Sequence, residues 1–270
     1  MAEAVPVWPR PYFKASQQST KILFVCFGKA PLSEVEITGA RFGLPSRELA
    51  AKVDVREHRR AAKSGWFESW WGDSFGVIAE RDLASELSLL TNSDVCFTLA
   101  LSLPDQQDLA PLQTVWGLSR WLCARGATVV LDVHAFRFRT RADVDALDLG
   151  ASDVQRDVKI VLETEPTRDG LHLLHTRGLC KVARPELLSF VRPEDAGVLG
   201  RFMSQVARTL MEGAAAEQIR LRVADGVELV TTPSAEPTLV SSLGLESAVV
   251  LGRGDGASLA GVARLLAPTA

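Results

Sequence analysis

Short apolar runs alternate with amphipathic stretches along the first half of the chain. Residues 21–27, 94–101 and 128–133 have the length and the β-branched or aromatic composition of buried strands. Between the last two runs, residues 108–125 carry apolar positions at helical spacing and are followed by Gly126, which predicts a helix and its end. This strand–helix–strand order favours a crossover connection, with the two strands parallel in one sheet.

Weaker patterns fill the rest of this half. Residues 35–38 are predicted to pair with the first strand, and residues 46–63 are predicted to be helical although their apolar positions are sparse. A short helix is expected at residues 82–90, and a short helix or turn at residues 140–147.

The second half is predicted to hold two β-hairpins, a long helix, and a final strand and helix. The hairpins are expected at residues 158–163 with 171–174 and at residues 219–223 with 227–231. Residues 194–212 form the clearest apolar stripe, while residues 248–251 predict a strand and residues 258–266 a helix. Together these patterns predict an α+β (mixed α/β) fold, in which a mixed β-sheet packs with helices.

A boundary between the two halves is predicted near residues 148–156. Residues 1–20 contain three prolines and are expected to form an extended N-terminal arm. The first half then covers residues 21–148 with a Trp-rich insertion, and the second half covers residues 157–270. A single domain is the alternative division.

The two halves show a weak internal similarity at an offset of 138 residues. At this offset Lys21-Ile22 matches Lys159-Ile160, Thr38 matches Thr176, and Glu48-Leu49 matches Glu186-Leu187. An internal duplication of one βα unit would explain the matches, and two unrelated strand–turn–helix segments are the alternative.

Composition places the chain among ordinary globular proteins. Of its 270 residues, 47% are hydrophobic and 23% are charged, and the net charge of −3 is spread over interspersed acids and bases. No basic stripe indicates nucleic-acid binding, and no apolar run approaches the roughly 20 residues that cross a bilayer. We therefore expect neither a nucleic-acid nor a membrane partner. The N-terminal residues also lack the pattern of a secretion signal, so a cytoplasmic location is expected.

Cysteines and histidines do not predict a metal site. The cysteines at positions 26, 96, 123 and 180 form no Cys-x-x-Cys pair, and three of them lie in apolar runs. We interpret them as buried free thiols, which agrees with a reducing compartment. His172 and His175 would point to opposite sides of a strand. No metal and no cofactor is predicted.

Asp132 and His134 are the weak candidates for a catalytic site. They lie two apart at the end of a predicted parallel strand, so they would share one face where α/β proteins bind ligands. A carboxylate beside an imidazole can act as a base and its orienting group. The alternative is a histidine that forms hydrogen bonds within a loop.

Trp66, Trp70 and Trp71 are the leading candidates for binding a partner. Together with Phe67 they lie between Gly65 and Gly72, and tryptophan is enriched in the cores of protein interfaces. Packing of this segment as a satellite core over the sheet is the alternative interpretation.

Arg177 and Arg184 are further binding candidates. They flank a glycine-bearing turn, and guanidinium groups suit carboxylate or phosphate. An internal ion pair with Glu186 or Asp195 is the alternative, and Pro185 is expected to lie in the first turn of a helix.

The stretches 175–179 (HTRGL) and 183–187 (ARPEL) resemble the signature of an uncharacterised bacterial family, the domain of unknown function 4261 family. The similarity covers residues 20–235 and includes a strand with an aspartate such as Asp132. The chain departs from the family's glycine-containing aromatic step before Arg-Pro. The resemblance implies a cytoplasmic bacterial α+β protein linked to partner or effector systems.

These observations favour a non-catalytic binding or accessory protein of immunity or assembly type, with a protein partner. An enzyme with an Asp132 and His134 pocket at a sheet end is the alternative. The oligomeric state stays open.

Overall fold

The structure is a computed structural model that describes residues 5–30, 32–167, 170–224, 227–233, 237–255 and 259. The chain divides into two compact units. Unit 1 combines the chain up to Pro9 with Thr20–Ser152, and unit 2 combines Arg10–Ser19 with the chain from Asp153 onward. Both units contain strands and helices, which confirms the predicted α+β fold.

The described strands of unit 1 form one sheet in the order β2-β3-β1-β4-β5. They are β1 (Ser19–Gly28), β2 (Asp54–Arg59), β3 (Val95–Pro104), β4 (Ala127–Asp132) and β5 (Arg137–Thr140). The helices of this unit are α1 (Gly39–Phe42), α2 (Arg47–Ala50), α3 (Ser64–Glu68), α4 (Asp73–Leu83), α5 (Leu87–Thr91), α6 (Ala110–Arg125) and α7 (Arg141–Ala146).

Strand β1 is buried on both faces, which explains why its sequence is apolar without alternation. Val25 and Phe27 are fully buried in one cluster with residues of α3, α4 and α5. Phe24 points to the other face, where its ring centroid lies 4.7 Å from that of Trp116 on α6. Both sheet faces are therefore covered by helices, and β1 occupies the centre of the sheet.

The central position of β1 corrects the predicted parallel crossover. Helix α6 lies as expected between β3 and β4, and Gly126 ends it with a φ of +121°. However, β1 separates β3 from β4, and β4 pairs antiparallel with both β1 and β5. The most apolar strand takes the position that buries both of its faces, so the two flanking strands do not pair.

Two predictions near β2 are wrong. Residues 46–63 form helix α2, strand β2 and a short 3₁₀ turn instead of one helix, and residues 35–38 are not in a strand. Strand β2 lies at the sheet edge and most of its side chains are exposed. An edge strand exposed on both faces lacks the alternation by which strands are recognised.

Unit 2 contains a mixed sheet in the order β6-β7-β8-β11-β10-β9. Its strands are β6 (Lys159–Pro166), β7 (His172–Arg177), β8 (Glu186–Val191), β9 (Arg220–Ala224), β10 (Val227–Pro233) and β11 (Ala248–Arg253), and its helices are α8 (Val154–Asp157), α9 (Ala196–Met211) and α10 (Pro237–Ser242). Strands β8 and β11 pair in parallel, and both predicted hairpins are confirmed as antiparallel pairs. The helix predicted at residues 258–266 lies outside the described residues.

The turn between β7 and β8 is built around the buried carboxylate of Glu186, which is 4% exposed. The carboxylate accepts hydrogen bonds from the hydroxyl of Thr176 at 2.6 Å and from the N–H groups of Gly178 and Leu179, both at 2.8 Å. Gly178 has a φ of +114°, and a Cβ there would meet the carbonyl of Asp157. Burial raises the pKa of Glu186, and the hydrogen bonds oppose this effect.

Glu186 starts strand β8, so the helix predicted after this turn is wrong. A comparison of the secondary structure of the two matched segments also weakens the duplication hypothesis. At the offset of 138 residues, Thr38 is irregular whereas Thr176 is in β7, and Glu48 is in α2 whereas Glu186 is in β8. Apart from the strands that begin both segments, the offset does not align equivalent structure.

The arm contributes to each unit separately. In unit 1, Trp8 is 1% exposed and donates its indole N–H to the carbonyl of Leu149 at 3.0 Å. In unit 2, Arg10 donates to the carbonyls of Met211 and Val182 at 3.1 and 3.0 Å.

Replacing Glu186 by alanine should lower the free energy of unfolding of unit 2 by about 3 kcal/mol, because buried N–H donors lose their acceptor. Urea denaturation followed by circular dichroism measures this change. The exposed Glu194 provides the control, and Glu194→Ala should change stability by less than about 0.5 kcal/mol. Similar effects of the two substitutions would contradict the role assigned to Glu186.

Thiol labelling should distinguish the cysteines of the native protein. Burial raises the pKa of Cys96 and Cys123 to about 12 and also raises that of Cys26, whereas Cys180 is only half-buried. Since the thiolate is the reactive form, iodoacetamide at pH 8 should label Cys180 first. Mass spectrometry of tryptic peptides measures the order, and comparable labelling of Cys96 would contradict it.

Candidate functional site

Two layers of aromatic side chains surround α3 in unit 1. The inner layer consists of Phe67, which is fully buried, and Trp71, whose rings lie 5.9 Å apart. Both rings pack edge-on against Phe27 of β1, at 6.1 and 6.5 Å between centroids. The satellite-core interpretation describes Phe67, which belongs to the buried cluster, and Trp71 packs against that cluster, as do Trp66, Trp70 and Phe75.

The outer layer is a continuous row of half-buried rings. We call it the aromatic row, and it consists of His58, Trp66, Trp70, Phe75 and Phe136. Successive ring centroids along it are separated by 4.6, 5.6, 5.6 and 5.3 Å. The row runs from edge strand β2, across α3 and α4, to the turn between β4 and β5.

Phe136 terminates the row in a strained backbone conformation. Its φ is +48°, in the left-handed region that side chains other than glycine seldom adopt. The turn nevertheless holds its ring 5.3 Å from that of Phe75 and leaves it half-buried. Backbone strain of this kind is concentrated at functional sites, so the conformation of Phe136 supports the row as a candidate functional site.

Positive charge accompanies the aromatic rings. The ammonium group of Lys63 lies 5.8 Å from the ring centroid of Trp66, and the guanidinium of Arg60 lies 5.2 Å from that of Trp71. The pKa of His58 is lowered by burial first, and then by the positive charges of Lys63 and Arg56. His58 is therefore a neutral ring in a positive environment at pH 7.

The row lies beside a sheet edge, strand β2, that no other described strand covers. Five of the six side chains of β2 are exposed, including Val55 at 43%. The opposite edge of the sheet differs, because the N–H of Phe138 on β5 donates to the carboxylate of Asp82 on α4 at 3.0 Å. Unit 1 thus protects the β5 edge with a helix, whereas among the described residues the β2 edge stays accessible.

Asp132 and His134 are not two residues of one strand, as the sequence suggested. Strand β4 ends at Asp132, and His134 lies in the following turn, half-buried. The Asp132 carboxylate is 2% exposed and accepts a hydrogen bond from the N–H of Ala135 at 3.1 Å. It shapes the β4–β5 turn, and β4 is antiparallel to its neighbours, so the expected binding edge of a parallel sheet is absent.

The fold of unit 2 uses Arg177 and Arg184 internally. Arg184 is 1% exposed, and its guanidinium donates to the carbonyls of Lys14, Ala183, Gly213 and Ala214 at 2.8 to 2.9 Å.

Arg177 donates to the carbonyl of Leu243 at 2.5 Å, and burial lowers its pKa. The internal interpretation fits these contacts with main-chain carbonyls, and the negative charges of Glu186 and Glu163 also act on Arg177.

Comparison with known proteins adds no assignment: no family model, no curated protein and no solved structure matches the chain. Within the described ranges, no helix is long and apolar enough to cross a membrane, and no cluster of three or more His, Cys, Asp or Glu side chains could hold a metal ion.

The structure leaves Trp66, Trp70 and Trp71 half-buried, and the ring of Trp71 packs edge-on against Phe27. Sequence reasoning missed the other members of the row, His58, Phe75 and Phe136. Phe75 lies near the Trp segment and could have been included on that ground. No sequence signal points to His58 or Phe136, because both approach the row only through the packing of the sheet.

The two layers should differ in their contribution to stability. Phe67→Ala should lower the free energy of unfolding of unit 1 by about 3 kcal/mol, because it leaves a cavity in the core. Trp66→Ala should lower it by about 1 kcal/mol, because that ring is already half-exposed. Chemical denaturation compares the two variants, and a larger loss for Trp66→Ala would contradict the division into layers.

Proposed function

We propose that this protein binds a protein partner through the aromatic row of unit 1. The observation that carries the proposal is the position of the half-buried Trp66 beside the uncovered edge strand β2, at a ring distance of 4.6 Å from His58. Apolar ring area and unpaired main-chain groups are thereby available at one place.

The composition of the row supports this role. Tryptophan, phenylalanine and arginine are enriched where protein interfaces are fully buried. Here Trp66, Trp70 and Phe75 are neighbours in the row, and Arg60 lies over the ring of Trp71. The indole N–H of Trp70 is buried and finds no acceptor among the described residues, which is a cost to stability of unit 1. Such a cost is expected where a surface is shaped for binding and not for stability alone.

The proposal extends to the class of protein. We place the chain among cytoplasmic bacterial binding or accessory proteins of immunity or assembly type, on the resemblance of residues 175–179 and 183–187 to the family of unknown function named above. The buried positions of Thr176, Gly178 and Glu186 support a structural role for that signature. The stretch that resembles the family lies in unit 2, and the aromatic row lies in unit 1.

Affinity capture with Trp66→Ala tests the proposal. The wild-type protein, immobilised and exposed to an extract of its source organism, should retain a specific protein that is identified by quantitative mass spectrometry. Trp66→Ala should reduce retention at least about tenfold, because truncation of an interface tryptophan costs about 2 kcal/mol or more.

Trp121 supplies a matched control. This half-buried tryptophan on α6 donates its indole N–H to the carbonyl of Val35 at 2.8 Å and does not belong to the row. Trp121→Phe should retain the partner at the wild-type level. Thermal melting verifies that both variants are folded, and equal retention by Trp66→Ala and wild type would refute the proposal.

A further inference from the structure

Resting on the proposed function, we infer that edge strand β2 recruits an extended acidic segment of the partner as an additional strand of the unit 1 sheet. The partner strand would run along β2 and bring an apolar side chain against Trp66. This identifies the partner by chemistry: a segment able to form a strand, with glutamate or aspartate and at least one apolar residue.

The hydrogen-bond pattern shows which groups of β2 face outward. Strands β2 and β3 pair antiparallel without a break in register, and the N–H of Arg60 donates to the carbonyl of Asp94 at 2.9 Å. Because hydrogen-bonded pairs alternate along an antiparallel ladder, Asp54, Arg56 and His58 also bond to β3.

The main-chain groups of Val55, Glu57 and Arg59 consequently point away from β3, toward the open edge. These three residues are exposed. Their N–H and C=O groups form the repeating donor and acceptor pattern that an added strand requires. The edge therefore has main-chain groups available over most of the strand's length.

Charge determines which kind of strand suits this edge. Residues 52–63 contain five basic residues and two acidic ones, an excess of three positive charges in a chain whose net charge is −3. The acidic groups already pair locally, Asp54 with Arg56 and Glu57 with Arg59. Glu68, outside this segment, pairs with Arg60 at 3.3 Å, so Lys52 and Lys63 supply the positive charge beyond these pairs. Acidic side chains of an incoming strand would meet the excess charge, whereas basic ones would be repelled.

The same charges argue against a second copy of this chain as the occupant. When a two-fold axis relates two antiparallel copies of one strand, even-numbered residues lie opposite even-numbered residues and odd-numbered residues opposite odd-numbered ones. Two such registers pair five residues of β2. In one of them Arg56 lies opposite Arg56 of the second copy, and in the other Glu57 lies opposite Glu57. Registers shifted further pair only three residues of the strand, so self-pairing is either repulsive or short.

The positive environment of His58 is consistent with an acidic occupant. Lys63 and Arg56 both disfavour its protonated form, and its imidazole contacts the hydroxyl of Thr98 at 3.2 Å and the ring of Trp66. A carboxylate placed at this position would reduce the repulsion among these groups.

Peptide binding tests the inference directly. The probes are a fluorescent eight-residue peptide that alternates glutamate with valine and a counterpart that carries lysine in place of glutamate. Fluorescence anisotropy should show the acidic peptide binding at least about tenfold more tightly than the basic one. Equal affinities, or no binding of the acidic peptide at about 1 mM, would overturn the inference.

Two substitutions at Glu57 distinguish strand addition from simple charge attraction. Glu57→Pro removes the outward N–H but leaves the hydrogen bonds to β3, and it should weaken binding of the acidic peptide about tenfold. Glu57→Ala retains the N–H and removes a negative charge, so binding should be unchanged or tighter. Equal effects of the two substitutions would overturn strand addition.

Hydrogen exchange on the wild-type protein provides a measurement that does not depend on the folding of a variant. The acidic peptide should slow exchange of the amides of Val55, Glu57 and Arg59, and protection confined to other residues would overturn the inference. The two proposals fail separately. If partner capture depends on Trp66 but not on the N–H of Glu57, the proposed function stands and the added strand does not.

Discussion

Burial of both faces of strand β1 is the constraint on which unit 1 depends. Phe24, Val25, Cys26 and Phe27 are all fully buried, so helices must cover the sheet on each side. Helix α6 covers the face of Phe24, and α3 to α5 cover the face of Phe27. The chain between β2 and β3 therefore forms the second cover, and this segment carries Trp66, Trp70 and Trp71.

Covering a sheet with short helices leaves aromatic area at their outer surfaces. Phe67 and Trp71 fill the space above Phe27, while Trp66 and Trp70 extend beyond it and remain half-buried. A helix of five residues such as α3 cannot direct all its large side chains inward. The aromatic row is thus the outer face of a structural element, and the same packing that stabilises unit 1 presents the row to solvent.

Sequence reasoning succeeded where burial produces a periodic pattern. Strand β1, helix α6, helix α9 and the hairpins follow from their apolar positions, because each buries a regular face. It failed at β2, whose exposed charged residues carry no such pattern, and at the β7–β8 turn. There the polar residues Thr176 and Glu186 are buried because they satisfy main-chain groups.

The candidate site was predictable only in part, because some of its members come together through contacts between distant segments. Trp66 and Trp70 stand close together in the sequence and attract notice by density. His58 and Phe136 join them from distant segments through the order of strands in the sheet, which local patterns do not contain. Similarly, the Asp132 and His134 hypothesis assumed a parallel sheet, and the central placement of β1 removed that assumption.

The two edges of the unit 1 sheet are protected in different ways, and the difference bears on function. At β5, the carboxylate of Asp82 satisfies an outward N–H directly. At β2, charged side chains of a short strand discourage unspecific pairing while leaving the main-chain groups accessible. Protection by charge is selective: it repels strands of like charge and self-pairing, but it favours a strand of opposite charge. In the strand addition proposed above, an edge protected in this way would discriminate among partner strands, which a helix-covered edge cannot do.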